Sequence, residues 1–105
     1  MLFVETAAFT RLVEEVLDDE AYRAFQVALM LRPEQGVLVR GSGGLRKLRW
    51  SVPGAGKRGG VRVIYYWHKP GETVLLLYLY RKSRQEDLTQ AQVRALGQVV
   101  RKEYP

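Results

Sequence analysis

An α+β fold is what this sequence of 105 residues predicts: an antiparallel sheet with an N-terminal helical hairpin and a C-terminal helix packed on it. Three observations carry that expectation. Apolar residues recur at helical spacing as far as Met30 and again after Thr89. Between Gly44 and Tyr80 the dominant period is two, and short Gly- or Pro-containing stretches separate the parts.

Taken in order, residues 2–5, LFVE, read as a short strand. Thr6 is a helix cap, after which Phe9, Leu12, Val13, Val16 and Leu17 form one apolar stripe. Asp18 or Asp19 restarts the helix, and Tyr22, Phe25, Leu29 and Met30 continue the stripe until Pro33 and Gly36 end it. These aromatic and methionine side chains read as core rather than as a cofactor site. In residues 44–50, GLRKLRW, alternation sends Arg46, Leu48 and Trp50 to one side and Leu45, Lys47 and Arg49 to the other. In 61–68, VRVIYYWH, it separates Val61, Val63, Tyr65 and Trp67 from Arg62, Ile64, Tyr66 and His68. Turn chemistry at Lys69, Pro70, Gly71 and Glu72 leads into TVLLLYLY, 73–80, a strand apolar on both faces and so predicted to be interior or covered. Thr89 and Gln92 have the spacing of a capping box, and Val93, Leu96, Val99 and Val100 mark the closing helix. The expected order is β, α, α, β, β, β, α, one domain over residues 1–105, with helices on one sheet face and the other face open.

Composition narrows the setting. There is no cysteine, which removes disulfides and thiolate metal sites. The opening MLFVETAAF has Glu5 inside its apolar stretch and no charged leader, unlike a signal peptide, and no run approaches a membrane span. A cytoplasmic protein without membrane partners is expected. The net charge of +6 is unevenly laid out. Residues 1–34 hold three arginines against seven acids, whereas residues 35–84 hold eleven basic residues against Glu72 alone. A field segregated in this way steers a polyanion toward one face.

Several chemistries fail on their residue requirements. The stretch GAGKRGG, 54–60, is not a phosphate loop: Arg58 stands where a hydroxyl must hold magnesium, Ser51 stands where the first glycine is needed, and no helix follows. GSGG at 41–44 precedes a strand and reads as a turn. His68 is the single histidine, too few for a zinc site and without a telling serine or carboxylate partner for a triad. No carboxylate lies between Glu34 and Glu72 to build a two-metal centre. No cofactor is expected. Cations on strands remain, and they suit phosphodiester chemistry, in which arginine neutralises phosphoryl oxygens and lysine or water moves protons. Lys47, Arg49 and Arg62 are candidates because alternation fixes their faces, and Arg81 with Lys82 lies just beyond the last strand. Pattern alone equally allows these to be solvated charges on an outer face.

The segments GLRKLRWSVPGAGKRGGVRVIYYW and LLLYLYRKSRQEDLTQAQ resemble the RelE/HigB toxins of bacterial type II toxin-antitoxin systems, the HigB branch most closely. The resemblance spans nearly the whole chain. It rests on the GGLRKLR strand, the GKRGG-x-R loop and strand, the Y-x-K after the last strand and the DLT-x-x-Q helix entry. It implies a RelE-like small RNase-type fold and a metal-independent, ribosome-dependent mRNA endonuclease acting through the RNA's own 2′-hydroxyl. Catalytic roles carry over to Lys47, Arg49, Arg62 and Lys82, and RNA-binding roles to Arg46, Lys57, Arg58, Arg81 and Arg84. The implied partners are the ribosome, mRNA and a HigA-like helix-turn-helix antitoxin. Some relatives place a tyrosine in the final segment, but the region of Asp87 and Leu88 has none, and Tyr66 and Tyr80 read as strand packing. The rival readings are a non-catalytic module binding RNA or the ribosome, and a ParE-like gyrase inhibitor on the same fold. For an antitoxin, the cationic face suits an acidic segment and an apolar groove beside the helical hairpin suits an amphipathic helix.

Overall fold

Thr6 converts the first strand into the first helix. β1 (Leu2–Glu5) ends just before it, and the Thr6 hydroxyl accepts the Phe9 amide at 3.1 Å as N-cap of α1 (Ala7–Val16). The same hydroxyl donates to the Leu77 carbonyl at 2.8 Å, tying the helix start to the sheet. Asp18 restarts the helix, accepting the Ala21 amide at 2.7 Å at the head of α2 (Asp19–Leu31). The computed structural model describes residues 1–52 and 60–105. Its remaining elements are β2 (Val37–Leu38), β3 (Leu45–Trp50), β4 (Val61–His68), β5 (Thr73–Arg81) and α3 (Gln90–Glu103), the last opened by the full Thr89–Gln92 capping box.

The five strands form one sheet in the order β1-β5-β4-β3-β2. β3, β4 and β5 make the expected antiparallel meander, but β1 runs parallel to β5, with Leu2 opposite Thr73, so the sheet is mixed. β2 adds a strand that the residue pattern did not announce, because two residues are too few to show a period.

The alternation read in 44–50 and 61–68 holds. On one face Phe9, Val13, Phe25 and Leu29 pack against Val61, Val63, Tyr65 and Leu76. The opposite face is not open, as expected from sequence, but carries α3, whose Leu96 and Val100 pack with Leu45, Ile64, Leu75 and Leu77. Those four strand residues would otherwise expose apolar surface worth about 1.5–3 kcal/mol each when buried, which is why an amphipathic helix lies there. α3 runs from Tyr78, 3.5 Å from Gln92 Nε2, to Tyr66, whose ring stacks on Tyr104 with centroids 5.7 Å apart. The Arg62 end of the sheet therefore extends beyond its N-terminus.

A bulge lies between the two central strands. Ile64 faces Tyr78 and Tyr65 faces Leu76, so Leu77 is the extra residue and the phase of β5 shifts by one. Leu76 and Leu79 consequently share one core, while Leu75, Leu77, Tyr78 and Tyr80 belong to the other. At the opposite side, buried Tyr65 donates to the Pro33 carbonyl at 2.7 Å and accepts the Gly36 amide at 2.9 Å. A Cβ at Gly36 would lie 2.8 Å from the Tyr65 ring, so glycine is needed there for the turn to close on β4. Among the described residues no helix is long and apolar enough to cross a membrane.

Candidate functional site

Alternation along β3 places Lys47 and Arg49 on the same face as Leu45, the face of α3. Register then sets Arg49 directly opposite Arg62 of β4, and Arg62 directly opposite Tyr80 of β5. Two like charges facing each other across a strand pair disfavour the folded state, so this pairing stores repulsion that an anion would relieve. Arg49, Arg62 and Lys82 line one pocket with Trp50, Ser51 and Gly60, and the Lys82 amide donates to the Gly60 carbonyl at 3.3 Å. No carboxylate lines it among the described residues. Arg62 is only 7% exposed, and no Asp or Glu pairs with it among the described residues. Beneath the rim, Trp50 meets Phe25 edge-on, with ring centroids 5.3 Å apart, which anchors the Arg49 end of β3 in the helical-hairpin core.

Lys47 lies two residues along the same strand face and is held differently. Its Nζ sits 3.1 Å from Oδ1 of Asp87, in the turn before α3. The Lys47 ammonium, followed by the Leu88 amide that donates to Asp87 at 2.8 Å, keeps the Asp87 carboxyl below the ordinary carboxylate range. The Tyr80 hydroxyl is buried and makes no hydrogen bond of good geometry among the described residues, although the Asp87 carboxylate lies near enough to act on it. Burial first, and then the negative charge of Asp87, pushes its pKa up to about 12, with Arg62 pulling the other way. At neutral pH it is therefore a phenol able to donate a hydrogen bond and unable to serve as a base. Chemically, the site offers fixed positive charge for a phosphodiester and ammonium groups at its rim.

Of the four residues expected to act in catalysis, Lys47, Arg49 and Arg62 share one sheet face; Lys82, in the turn after β5, borders a single pocket with Arg49 and Arg62, and Lys47 adjoins it through Arg49. The residues expected to bind RNA are dispersed. Arg46 points to the other face, where its Nη1 donates to the carbonyls of Glu34 at 3.0 Å and Gly36 at 2.8 Å and pins the turn after α2. Arg81 also turns away, donating to the Glu15 carbonyl, and borders with Arg84 a groove against α1. Lys57 and Arg58 lie outside the described residues. Tyr66 and Tyr80 pack as read, and half-buried His68 stacks on Tyr104 with centroids 3.9 Å apart. Sequence reasoning missed Asp87 as the partner of Lys47, because 40 positions separate them. Its one local signal was a carboxylate just ahead of a capping box.

No protein-family profile matches the sequence. Among solved structures, the chain is similar to E. coli toxin RelE in the free state, carrying two arginine-to-alanine substitutions, with a TM-score of 0.60 at 13% identity. The match covers 99% of this chain and 97% of that one. The fold is that of RelE. On that RelE-type scaffold, the cationic pocket sits at the end of the three-stranded meander that α3 leaves uncovered.

Proposed function

We propose that this chain is the toxin of a type II toxin-antitoxin pair, a RelE/HigB-type endoribonuclease that cuts mRNA on the ribosome. The observation that carries the reading is the direct opposition of Arg49 and Arg62, joined by Lys82 in one pocket without a carboxylate among the described residues. Such an arrangement is unfavourable until a polyanion enters, and the RelE fold supports the choice of RNA.

In the proposed reaction a water takes the proton of the RNA's 2′-hydroxyl, the 2′-oxygen forms a bond to phosphorus, and the bond to the 5′-oxygen breaks, leaving a cyclic phosphate and a 5′-hydroxyl. Arg62, held by its burial, and Arg49 stabilise charge on the phosphoryl oxygens. Lys82 at the rim gives a proton to the departing 5′-oxygen, and Lys47 grips the neighbouring phosphate in exchange for Asp87. The partners are the ribosome, mRNA and a HigA-like antitoxin, and the compartment is the cytoplasm.

Inducing the chain in bacteria and mapping 5′ ends of transcripts tests this. The parent arrests growth and produces new cuts within translated frames, and Arg62→Ala and Lys82→Ala each suppress both. Arrest without new cuts indicates a binding module instead, and arrest with altered plasmid supercoiling indicates a gyrase inhibitor.

A further inference from the structure

A groove continues the cationic row on the side away from Arg62. Lys47 shares a strand face with Arg49, two residues on and about 7 Å along β3, and lies directly opposite Val37 of β2. The groove at Lys47 is bordered by Val37 and Val39 on the sheet side and by Leu88 and Val93 at the entry to α3. Val37 is 71% exposed, so this wall is open to a ligand. Arg40 also lines the groove, and Asp87 is the one acid among the described residues that do.

Aliphatic walls between cations suit a nucleobase better than a second phosphate. Single-stranded RNA splays its bases away from the backbone, and a splayed base buries the flat of its ring while its edge takes hydrogen bonds from the protein. The step from Arg49 to Lys47 is close to the spacing of successive phosphates along an extended strand. A chain whose one phosphate lies between Arg49 and Arg62 can therefore place the next at Lys47 and turn the attached base into the groove.

Asp87 then selects among bases. Its carboxylate can only accept hydrogen bonds, and its side chain is 66% exposed. Oδ1 takes the Leu88 amide at 2.8 Å and the Lys47 ammonium at 3.1 Å. Once Lys47 turns to a phosphate, the carboxylate has room for a new donor. Cytosine, adenine and guanine each present an exocyclic amino group, whereas uracil presents one ring N–H between two carbonyl oxygens that repel a carboxylate. We propose that this groove is a base-binding subsite next to the cationic pocket, in which Asp87 accepts the amino group of the base and disfavours uracil. The subsite rests on the nuclease reading, because it names part of the same RNA substrate.

The test titrates the full chain at low salt with labelled hexanucleotides of 2′-fluoro-uridine, which lack the attacking hydroxyl, and with the same oligonucleotide carrying one central 2′-fluoro-cytidine. Fluorescence anisotropy should show the cytidine form binding about tenfold more tightly, a difference of about 1.4 kcal/mol. Asp87→Asn is expected to bring the ratio close to one, chiefly by tightening the uridine form, since an amide N–H can donate to a uracil carbonyl. Arg62→Ala is expected to weaken both forms and to keep the ratio, with circular dichroism verifying the fold of each variant. In the parent chain, the cytidine form should shift the NMR methyl signals of Val37, Val39 and Val93. A parent ratio of one, or a ratio that survives Asp87→Asn, overturns the subsite. Loss of the ratio in Arg62→Ala places the base in the cationic pocket and overturns it too, as do methyl shifts confined to the helical hairpin or no binding of either form. None of these readouts depends on cleavage, whereas the nuclease reading stands or falls with the map of transcript ends, so the two failures are distinguishable.

Discussion

Arg62 and Tyr80 lie directly opposite each other on β4 and β5, and it is the bulge at Leu77 that sets Tyr80 rather than Leu79 opposite Arg62. With strict alternation, Tyr78 and Tyr80 would follow Leu76 into the helical-hairpin core. Instead the phenol joins the cationic row with its hydroxyl buried beside the Asp87 carboxylate and without a hydrogen bond of good geometry among the described residues. A buried hydroxyl in that state costs about 1 kcal/mol or more. Tyr80→Phe should therefore stabilise the fold by about 1 kcal/mol in urea denaturation at neutral pH. A lowered midpoint would mean that the hydroxyl has a partner.

Arg62 combines deep burial with the absence of a pairing carboxylate among the described residues. Arg62→Met keeps the length of the side chain and removes an uncompensated charge facing Arg49. It should raise stability by about 1 kcal/mol or more while abolishing transcript cleavage. Denaturation midpoints and 5′-end mapping, run on the same variant, check both halves.

The Lys47–Asp87 pair predicts a pH signature. Asp87 has its folded pKa below its unfolded value near 3.9, so its contribution is present above that value and disappears as pH falls through the folded pKa. Because the Asp87 side chain is 66% exposed, screening limits the effect to about 0.5 kcal/mol. The stability gap between the parent and Asp87→Asn should be visible at pH 6 and close below about pH 4. A gap that persists at acid pH would assign the effect to the Leu88 contact instead.

Phe25 links the core to the rim of the site through Trp50. Phe25→Ala should cost about 3–5 kcal/mol, and Phe25→Leu about 1 kcal/mol. In a Trp67→Phe background, the fluorescence of Trp50 should change in both variants before any denaturant is added. Unaltered emission would disconnect the ring pair from the packing at the rim.

Much of this arrangement was legible because strand alternation is a local property. Lys47 and Arg49 fall on one face of their strand by counting, and Thr6, Asp18 and Thr89 announce their helices through capping chemistry; that Arg62 shares that face follows only from the register of β3 and β4. The bulge was hidden because TVLLLYLY is apolar on both faces, so a one-residue shift leaves no break in its pattern. The sheet face taken by α3 was hidden too, since an amphipathic helix fits either side and the choice depends on Leu45, Ile64, Leu75 and Leu77 acting together. Proximity in sequence also misled: Arg81 and Lys82 are neighbours, yet one meets α1 and the other the cationic pocket.

The two helical layers are unequally anchored. α1 and α2 sink Phe9, Val13, Phe25 and Leu29 into the interior, whereas α3 commits only Gly97 and Val100 to full burial. Partial opening should thus begin with the closing helix, at a free energy well below that of global unfolding. Once peeled back, that segment bares an aliphatic stripe. A protease in the cell would find this chain through α3, and the lifetime of the protein would follow how firmly one thinly seated helix stays down.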